Sequence, residues 1–325
     1  MSILIGCSPS SGSSLLRRIL NRHSKVFCGS ETSLLAKAAL YTDWQKHRKK
    51  LIANSIWGLP NAGWHKFIGI ELTEEYGYTK VDFKRLMEQE HSSFQNFISA
   101  FYQPILKKYS KQIWAEKTPS NAFTLHLFLD AFPEGKVIHI VRHPLDAIAS
   151  LTNRGMSAYN AVAVYLLNTA KALELINDPR VITLKYEDLV MRPQKTLEEL
   201  CKFLEITYEE KMLLPPGKEG GVESMKGWNY KETETVQQGS MGRFQKLQQA
   251  KQDELLSRVL MTKTSLPLQH RSIVAIAKQL DYELPLHSIE VNMKEILKRD
   301  KARDLRSRLF SKTYFNKANY PISFE

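Results

Sequence analysis

The chain has 325 residues, of which 43% are hydrophobic and 25% charged, enough apolar material for one large domain or two small ones; a disordered or collagen-like polymer is excluded. Lys and Arg exceed Asp and Glu by 46 − 34 = 12, a balance that favours polyanionic ligands: phosphorylated cofactors, nucleic acid, acidic glycans or an anionic membrane surface. Three cysteines, Cys7, Cys28 and Cys201, lack C-x-x-C spacing and indicate neither a disulfide framework nor a zinc site, so the reducing cytoplasm is the expected compartment.

Met1-Ser-Ile-Leu-Ile-Gly6 reads as a buried strand rather than a secretory leader, and no run approaches the roughly 18 apolar residues of a membrane span. Further strands are expected at Ile113–Glu116, Val137–Val141 and Val181–Tyr186, all short apolar runs of the kind that parallel strands buried on both faces show. Helical periodicity fills the intervals at Ser13–Arg22, Ser33–Lys49, Ser93–Tyr109, Asn121–Phe132, Pro144–Asn153, Ala158–Ile176, Pro193–Leu204, Gln252–Thr262 and Ile273–Leu280. Strands separated by crossover helices define an α/β fold with a mostly parallel sheet. Asn54–Gly77 and Leu214–Gly227, rich in Gly and Pro, are expected to be irregular excursions. Between Lys294 and Lys317, nine Lys or Arg face three acids, a pattern for an exposed basic helix that is either simply solvated or a contact for an anionic surface.

Two strand-to-helix turns carry chemistry. In Ile3-Leu-Ile-Gly-Cys-Ser-Pro-Ser-Ser-Gly-Ser-Ser-Leu-Leu16, small residues and a helix N-terminus point free N–H groups at one place, the outline of a phosphate or sulfate site. A nucleotide-kinase loop would need G-x-x-x-x-G-K-[ST]; here Gly6 and Gly12 are six apart and Ser13 stands where the lysine belongs, which disfavours ATP-dependent phosphotransfer. In Val137-Ile-His-Ile-Val-Arg-His-Pro-Leu-Asp-Ala-Ile-Ala-Ser150, Pro144 suits the first helical position and Asp146 complements the helix N-terminus. Arg142 then sits at a strand end, where open α/β sheets bind ligands, with Ser150 about two turns along the helix. Taken singly, Arg142 could equally be an ordinary surface ion pair.

Together these motifs resemble those of the sulfotransferases that use 3′-phosphoadenosine 5′-phosphosulfate (PAPS), in the bacterial and tyrosylprotein branches. Ser8–Leu16 resembles the 5′-phosphosulfate loop, and Arg142 to Ser150 the 3′-phosphate motif. Glu116-Lys-Thr-Pro-Ser-Asn121 is similar to a further family motif. Tyr186-Glu-Asp-Leu-Val190 with Arg192-Pro193 resembles the segment after the last core strand, and Gln238-Gly-Ser-Met-Gly-Arg-Phe244 the loop that covers the donor. The resemblance spans Ile3 to Leu247. It implies a P-loop-like three-layer α/β/α fold in a single domain, with a donor-binding core over 1–247 and a helical, basic extension over 248–325.

The resemblance also implies roles. Ser10, Ser11, Gly12, Ser13 and Ser14 would hold the 5′-phosphosulfate, Arg142 and Ser150 the 3′-phosphate, and Tyr186 the nucleotide, with Ser240 and Arg243 closing over the phosphates. Arg154 is a further candidate for the 3′-phosphate or the acceptor. Lys117 would stabilise the departing phosphate, and Glu31, in Cys28-Gly-Ser-Glu-Thr32, would be the general base. A carboxylate at a helix start can also be a charge cap, Lys117 a structural ion pair, and His23, His65 and His91 alternative bases. One position departs from the family: Ser10 stands where Arg or Lys is usual, with Arg17 and Lys117 as cations able to compensate. The expected reaction is in-line sulfuryl transfer from PAPS to a hydroxyl of unknown class, without a metal and without a nucleic-acid partner; a non-catalytic nucleotide binder is the alternative.

Overall fold

Six consecutive buried residues, Ser2–Cys7, form strand β1, flanked by β3 (Ile113–Lys117) on one side and β4 (Lys136–Val141) on the other. With β2 (Val26–Cys28) and β5 (Val181–Lys185) they make a five-stranded sheet, every pair parallel, in the order β2-β3-β1-β4-β5. The architecture comes from a computed structural model that describes residues 1–48, 76–214, 241–285 and 320–324, together with 298 and 302.

Alternation along β1 assigns the two faces. Ile3, Ile5 and Cys7 pack with Leu16, Ile19 and Leu20 of helix α1 (Ser13–Arg22). The same layer takes Leu197, Leu200 and Cys201 of a helix over Pro193–Phe203, which follows a short one over Tyr186–Met191. Leu4 turns the other way, into a core with many aromatic side chains: Phe97 and Phe101 from a helix over Phe94–Lys108, Trp114 of β3, and Phe128 from a helix over Leu125–Ala131. The ring of Tyr102 stacks on Trp114 at 4.5 Å between centroids. Two layers of helices thus cover both faces of the sheet, as the sequence pattern requires.

Helices over Pro144–Asn153 and Ala158–Leu173 follow β4. Onto them pack Leu255, Leu256 and Val259 of the helix Gln249–Met261 and Ile273 and Ile276 of the helix Ile273–Gln279. A small antiparallel pair, β6 (Thr262–Thr264) with β7 (Ile322–Phe324), returns the last described residues to this extension. The helical extension therefore shares a hydrophobic cluster with the core.

Several boundaries differ from expectation for local reasons. β2 has only three residues, too few to show a period. The helix expected over Ser33–Lys49 is interrupted: Ser33 takes a left-handed φ of 54°, regular helix begins only at Ala38, and after Ala38–Thr42 it breaks at Asp43 and resumes over 44–48. The helix expected from Asn121 begins as a 3-10 turn over Pro119–Phe123 before Leu125–Ala131. Tyr186 opens a helix rather than ending β5. The Gly- and Pro-rich stretches lie, but for Tyr76, Gly77 and Leu214, outside the described residues, and so does nearly all of 294–317.

Candidate functional site

The chain leaves β1 toward β2 and β3 on one side, then crosses to β4 and β5 on the other. The carboxyl ends of β1, β3 and β4 therefore meet at a topological switch point, where open α/β sheets place their ligands. The residues at those three ends, Cys7, Lys117 and Val141, lead into the segments singled out in the sequence.

After β1 the chain makes a tight turn into α1. Ser10 (φ 70°) and Gly12 (φ 91°) both take left-handed backbone, and Gly12 is the N-cap, with no side-chain cap bond. The first amides of α1 are thereby left to an external acceptor. The hydroxyls of Ser10 and Ser11 are buried without a hydrogen-bond partner. A buried hydroxyl without a partner is costly, and a polar group bound at this turn would relieve that cost. Tyr186 covers the turn so closely that a Cβ on Gly12 would stand 2.2 Å from its Cδ2.

At the end of β3, successive side chains point to opposite faces. Lys117, 2% exposed, forms an ion pair and hydrogen bond with Glu31. Cys7 lies beside them: burial pushes its thiol up to about 12, partly offset by a hydrogen bond with Ser13 and by the Lys117 charge. Glu31, Lys117, Ser13 and the end of β1 thus converge at one place. Glu116, on the opposite face, is fully buried; burial raises its carboxyl against the pull of donors from Thr32, Thr118 and Asn121.

At the end of β4, Arg142 is 3% exposed and runs back toward the first turn, its Nη1 donating to the Ser10 carbonyl at 3.1 Å. Its guanidinium lies 5.0 Å from the centre of the Tyr186 ring. Asp146, one helical turn on, pairs with Arg142 at 3.5 Å and accepts from the backbone amides of Gly242 at 2.8 Å and Phe244 at 2.9 Å. That clamp presents Arg243, whose Nη1 donates to Ser150 Oγ at 3.1 Å. Burial, and then the neighbouring Arg243 charge, pull Arg142 below its usual value, with Asp146 opposing. Two guanidiniums and a hydroxyl are thus gathered beside the first turn, a set of donors chemically suited to an anion.

The structure brings together Ser10, Ser11, Gly12, Arg142, Tyr186, Ser150 and Arg243 on one side, and Ser13, Glu31 and Lys117 on the other. Ser14 follows Ser13 in the first turn of α1, and Arg17 is buried one turn further on. Arg154 is exposed at the C-cap of its helix. Ser240 and His65 lie outside the described residues. His23 stands at the far end of α1, with Nε2 2.8 Å from the Thr207 carbonyl, and His91 Nε2 is 3.0 Å from the Leu86 carbonyl. In the sequence Asp146 stands out only as a helix-terminus residue, and Glu187 does not stand out at all. Yet Glu187 accepts from the His143 amide at 2.9 Å and from the Tyr282 hydroxyl at 2.8 Å, tying the extension to the Arg142 turn. Such long-range partners leave no local pattern. Among the described residues, no group of three or more His, Cys, Asp or Glu side chains is placed to hold a metal ion, and no helix is long and apolar enough to cross a membrane.

A parallel α/β sheet with a strand–turn–helix and two guanidiniums at its switch point has the P-loop-like architecture. More particularly, residues 2–210 match the sulfotransferase family, and the chain belongs to it. It is 24% identical over 223 residues to a putative protein-tyrosine sulfotransferase of Caenorhabditis briggsae, covering 65% of this chain and 68% of that protein. It is also 24% identical over 237 residues to protein-tyrosine sulfotransferase 2 of Gallus gallus, covering 68% of this chain and 56% of that one, and so matches between about half and two-thirds of these relatives' length. In fold it is similar to the sulfotransferase domain from the Synechococcus PCC 7002 olefin synthase, with a TM-score of 0.57 and 20% identity over 88% of this chain and 95% of that one. The sulfotransferase domain from the curacin biosynthetic pathway gives the same TM-score at 22% identity, over 88% and 98% of the two chains.

Proposed function

We propose that this chain transfers a sulfuryl group from PAPS to a hydroxyl acceptor, with Glu31 as general base and Lys117 as the cation at the breaking bond. The observation that carries this reading is the Lys117–Glu31 pair beside Ser13 of the first turn. An acceptor oxygen entering between the two would have a carboxylate to take its proton. The ammonium would stand beside the oxygen from which the sulfuryl group departs. As the new oxygen–sulfur bond forms and the bond from sulfur to the phosphate oxygen breaks, Glu31 gains the acceptor proton and Lys117 neutralises charge developing on the phosphate.

Donor recognition is assigned to this chain's two anion subsites. Ser10, Ser11, Gly12, Ser13 and Ser14 would take the 5′-phosphosulfate through amides and hydroxyls, and Arg142, Ser150 and Arg243 the 3′-phosphate. The fit rests on the buried Ser10 and Ser11 hydroxyls and on the adjacent Arg142 and Arg243 charges, which a dianion would balance. Tyr186 lies between the two subsites, against Gly12 and Arg142. Ser240 would complete the cover carried by Gly242–Phe244.

Calorimetry with 3′-phosphoadenosine 5′-phosphate (PAP) and with adenosine 5′-phosphate tests donor recognition, and transfer of label from PAPS tests the reaction. Phenols and tyrosine peptides come first as acceptors because curated relatives carry that activity in their names; sugar and aliphatic alcohols follow. PAP is expected to bind more tightly, and Arg142→Ala to weaken it by roughly 10- to 150-fold, the equivalent of one charge-assisted hydrogen bond. Equal affinity for the two nucleotides, or no label transfer to any hydroxyl, would overturn the reading.

A further inference from the structure

The segment that carries Glu31 is held by a carboxylate on the far face of β3. Glu116 Oε1 accepts from the Thr32 amide at 3.0 Å, the Thr32 hydroxyl at 3.0 Å and the Thr118 hydroxyl at 2.7 Å; Oε2 accepts from Asn121 Nδ2 at 2.5 Å. The same Asn121 nitrogen reaches the Ile5 carbonyl of β1 at 3.0 Å, linking the group to the central strand. Two of the donors are acceptors in turn. Thr118 Oγ1 takes the Ser33 amide at 3.1 Å and Thr32 Oγ1 the Leu34 amide at 3.2 Å. Three successive amides, of Thr32, Ser33 and Leu34, therefore end in one network centred on Glu116, across a backbone bent through the left-handed Ser33.

Glu116 and Lys117 are neighbours on the strand, and Glu31 and Thr32 are neighbours on the segment. With adjacent strand side chains pointing apart, Glu116 grips Thr32 on one face while Lys117 meets Glu31 on the other. We propose that Glu116 is a positioning residue that fixes Glu31 against Lys117, so that base and cation share one reaction point. This rests on the reading of Glu31 as the base. A carboxylate suits the role where an amide does not. Four donors need two acceptor oxygens, and a Gln in its place would turn an NH2 group toward Asn121 Nδ2, itself held on the Ile5 carbonyl.

The test uses the full-length chain as Glu116→Gln, Glu31→Gln and the double variant, with Thr32→Val as a milder cut that leaves the carboxylate in place. Four readouts are taken: PAP calorimetry, kcat and acceptor KM with whichever hydroxyl accepts label from PAPS, and amide exchange over residues 29–35. Glu116→Gln is expected to lower kcat by roughly 10- to 100-fold, with PAP affinity within about twofold of wild type and exchange at Thr32–Leu34 faster by roughly tenfold or more. In the double variant kcat should equal that of Glu31→Gln, because one residue acts through the other. If Glu116→Gln does not fold, Thr32→Val carries the same cycle with smaller losses. Multiplicative losses in the double variant, unchanged exchange at Thr32–Leu34, or a loss of PAP affinity as large as the loss of kcat would overturn the positioning role alone. A fully active Glu31→Gln would overturn the assignment of the base, and the positioning role with it.

Discussion

Gly12 and Tyr186 occupy one space: the tyrosine ring lies where any side chain at position 12 would have to be. The backbone at Gly12 is also left-handed, at φ 91°, a conformation that L residues adopt at a cost. Gly12→Ala should therefore lose roughly 1–3 kcal/mol, shared between folding and PAP binding, because the turn and the ring cannot both keep their places. Urea unfolding and calorimetry measure the two shares. Removing the ring in the Gly12→Ala background should recover part of the loss; strictly additive effects of Gly12→Ala and Tyr186→Ala would show that the two do not compete.

Asp146 joins the subsite of Arg142 to the turn that carries Arg243. Asp146→Ala removes the acceptor for the Gly242 and Phe244 amides and releases Arg243 from Ser150. PAP affinity should fall by roughly tenfold or more, on the scale of one lost charge-assisted hydrogen bond. Adenosine 5′-phosphate, without the 3′-phosphate, should bind about as before. An unchanged ratio between the two nucleotides would mean that the clamp does not serve the 3′-phosphate.

Much of this arrangement is legible in the chain because its anion-type turns are local. The run from Ile3 to Leu16 contains its strand, its left-handed glycine and its helix in order, and Pro144–Asn153 begins and ends as its proline and polar end residues suggest. What is not legible is whatever depends on contacts distant in sequence. Nothing near Glu116 signals that it meets Thr32, 84 residues away, nor does Glu187 announce Tyr282, 95 residues on. The interruption after Ser33 follows from the same cause. Periodicity favours a helix there, but the amides of Ser33 and Leu34 are taken by Thr118 and Thr32 side chains instead.

Ser10 bears on how the first turn works without the family's usual cation. Its φ is 70°, its carbonyl is held by Arg142, and its hydroxyl is buried. Serine already bears the left-handed backbone, so what a longer side chain adds is the need to fit where the serine hydroxyl is enclosed. Ser10→Arg should therefore lower stability by roughly 1–3 kcal/mol and leave turnover equal or reduced. Ser10→Gly should fold at least as well as wild type, since glycine adopts that backbone freely. Turnover rising tenfold or more in Ser10→Arg would show instead that a cation is missing from the natural turn.

His139 sets an acid limit on stability. It sits in the middle of β4, paired in register with Gly6 and Thr183, fully buried, and burial pushes its imidazole down to about 3. Its Nε2 has no hydrogen-bond partner, so the neutral ring is the form that the core accommodates. In the unfolded chain the same group titrates near 6.5, and between the two values the unfolded state binds the extra proton. Stability from this residue is thus complete above about pH 6.5 and is lost as pH falls toward about 3, amounting to about 2 kcal/mol between pH 7 and pH 5. Urea midpoints measured across that interval should move less in His139→Leu than in wild type, by that difference once converted through the m-value. The same pH dependence in both proteins would place the acid sensitivity elsewhere and leave His139 a bystander in the sheet.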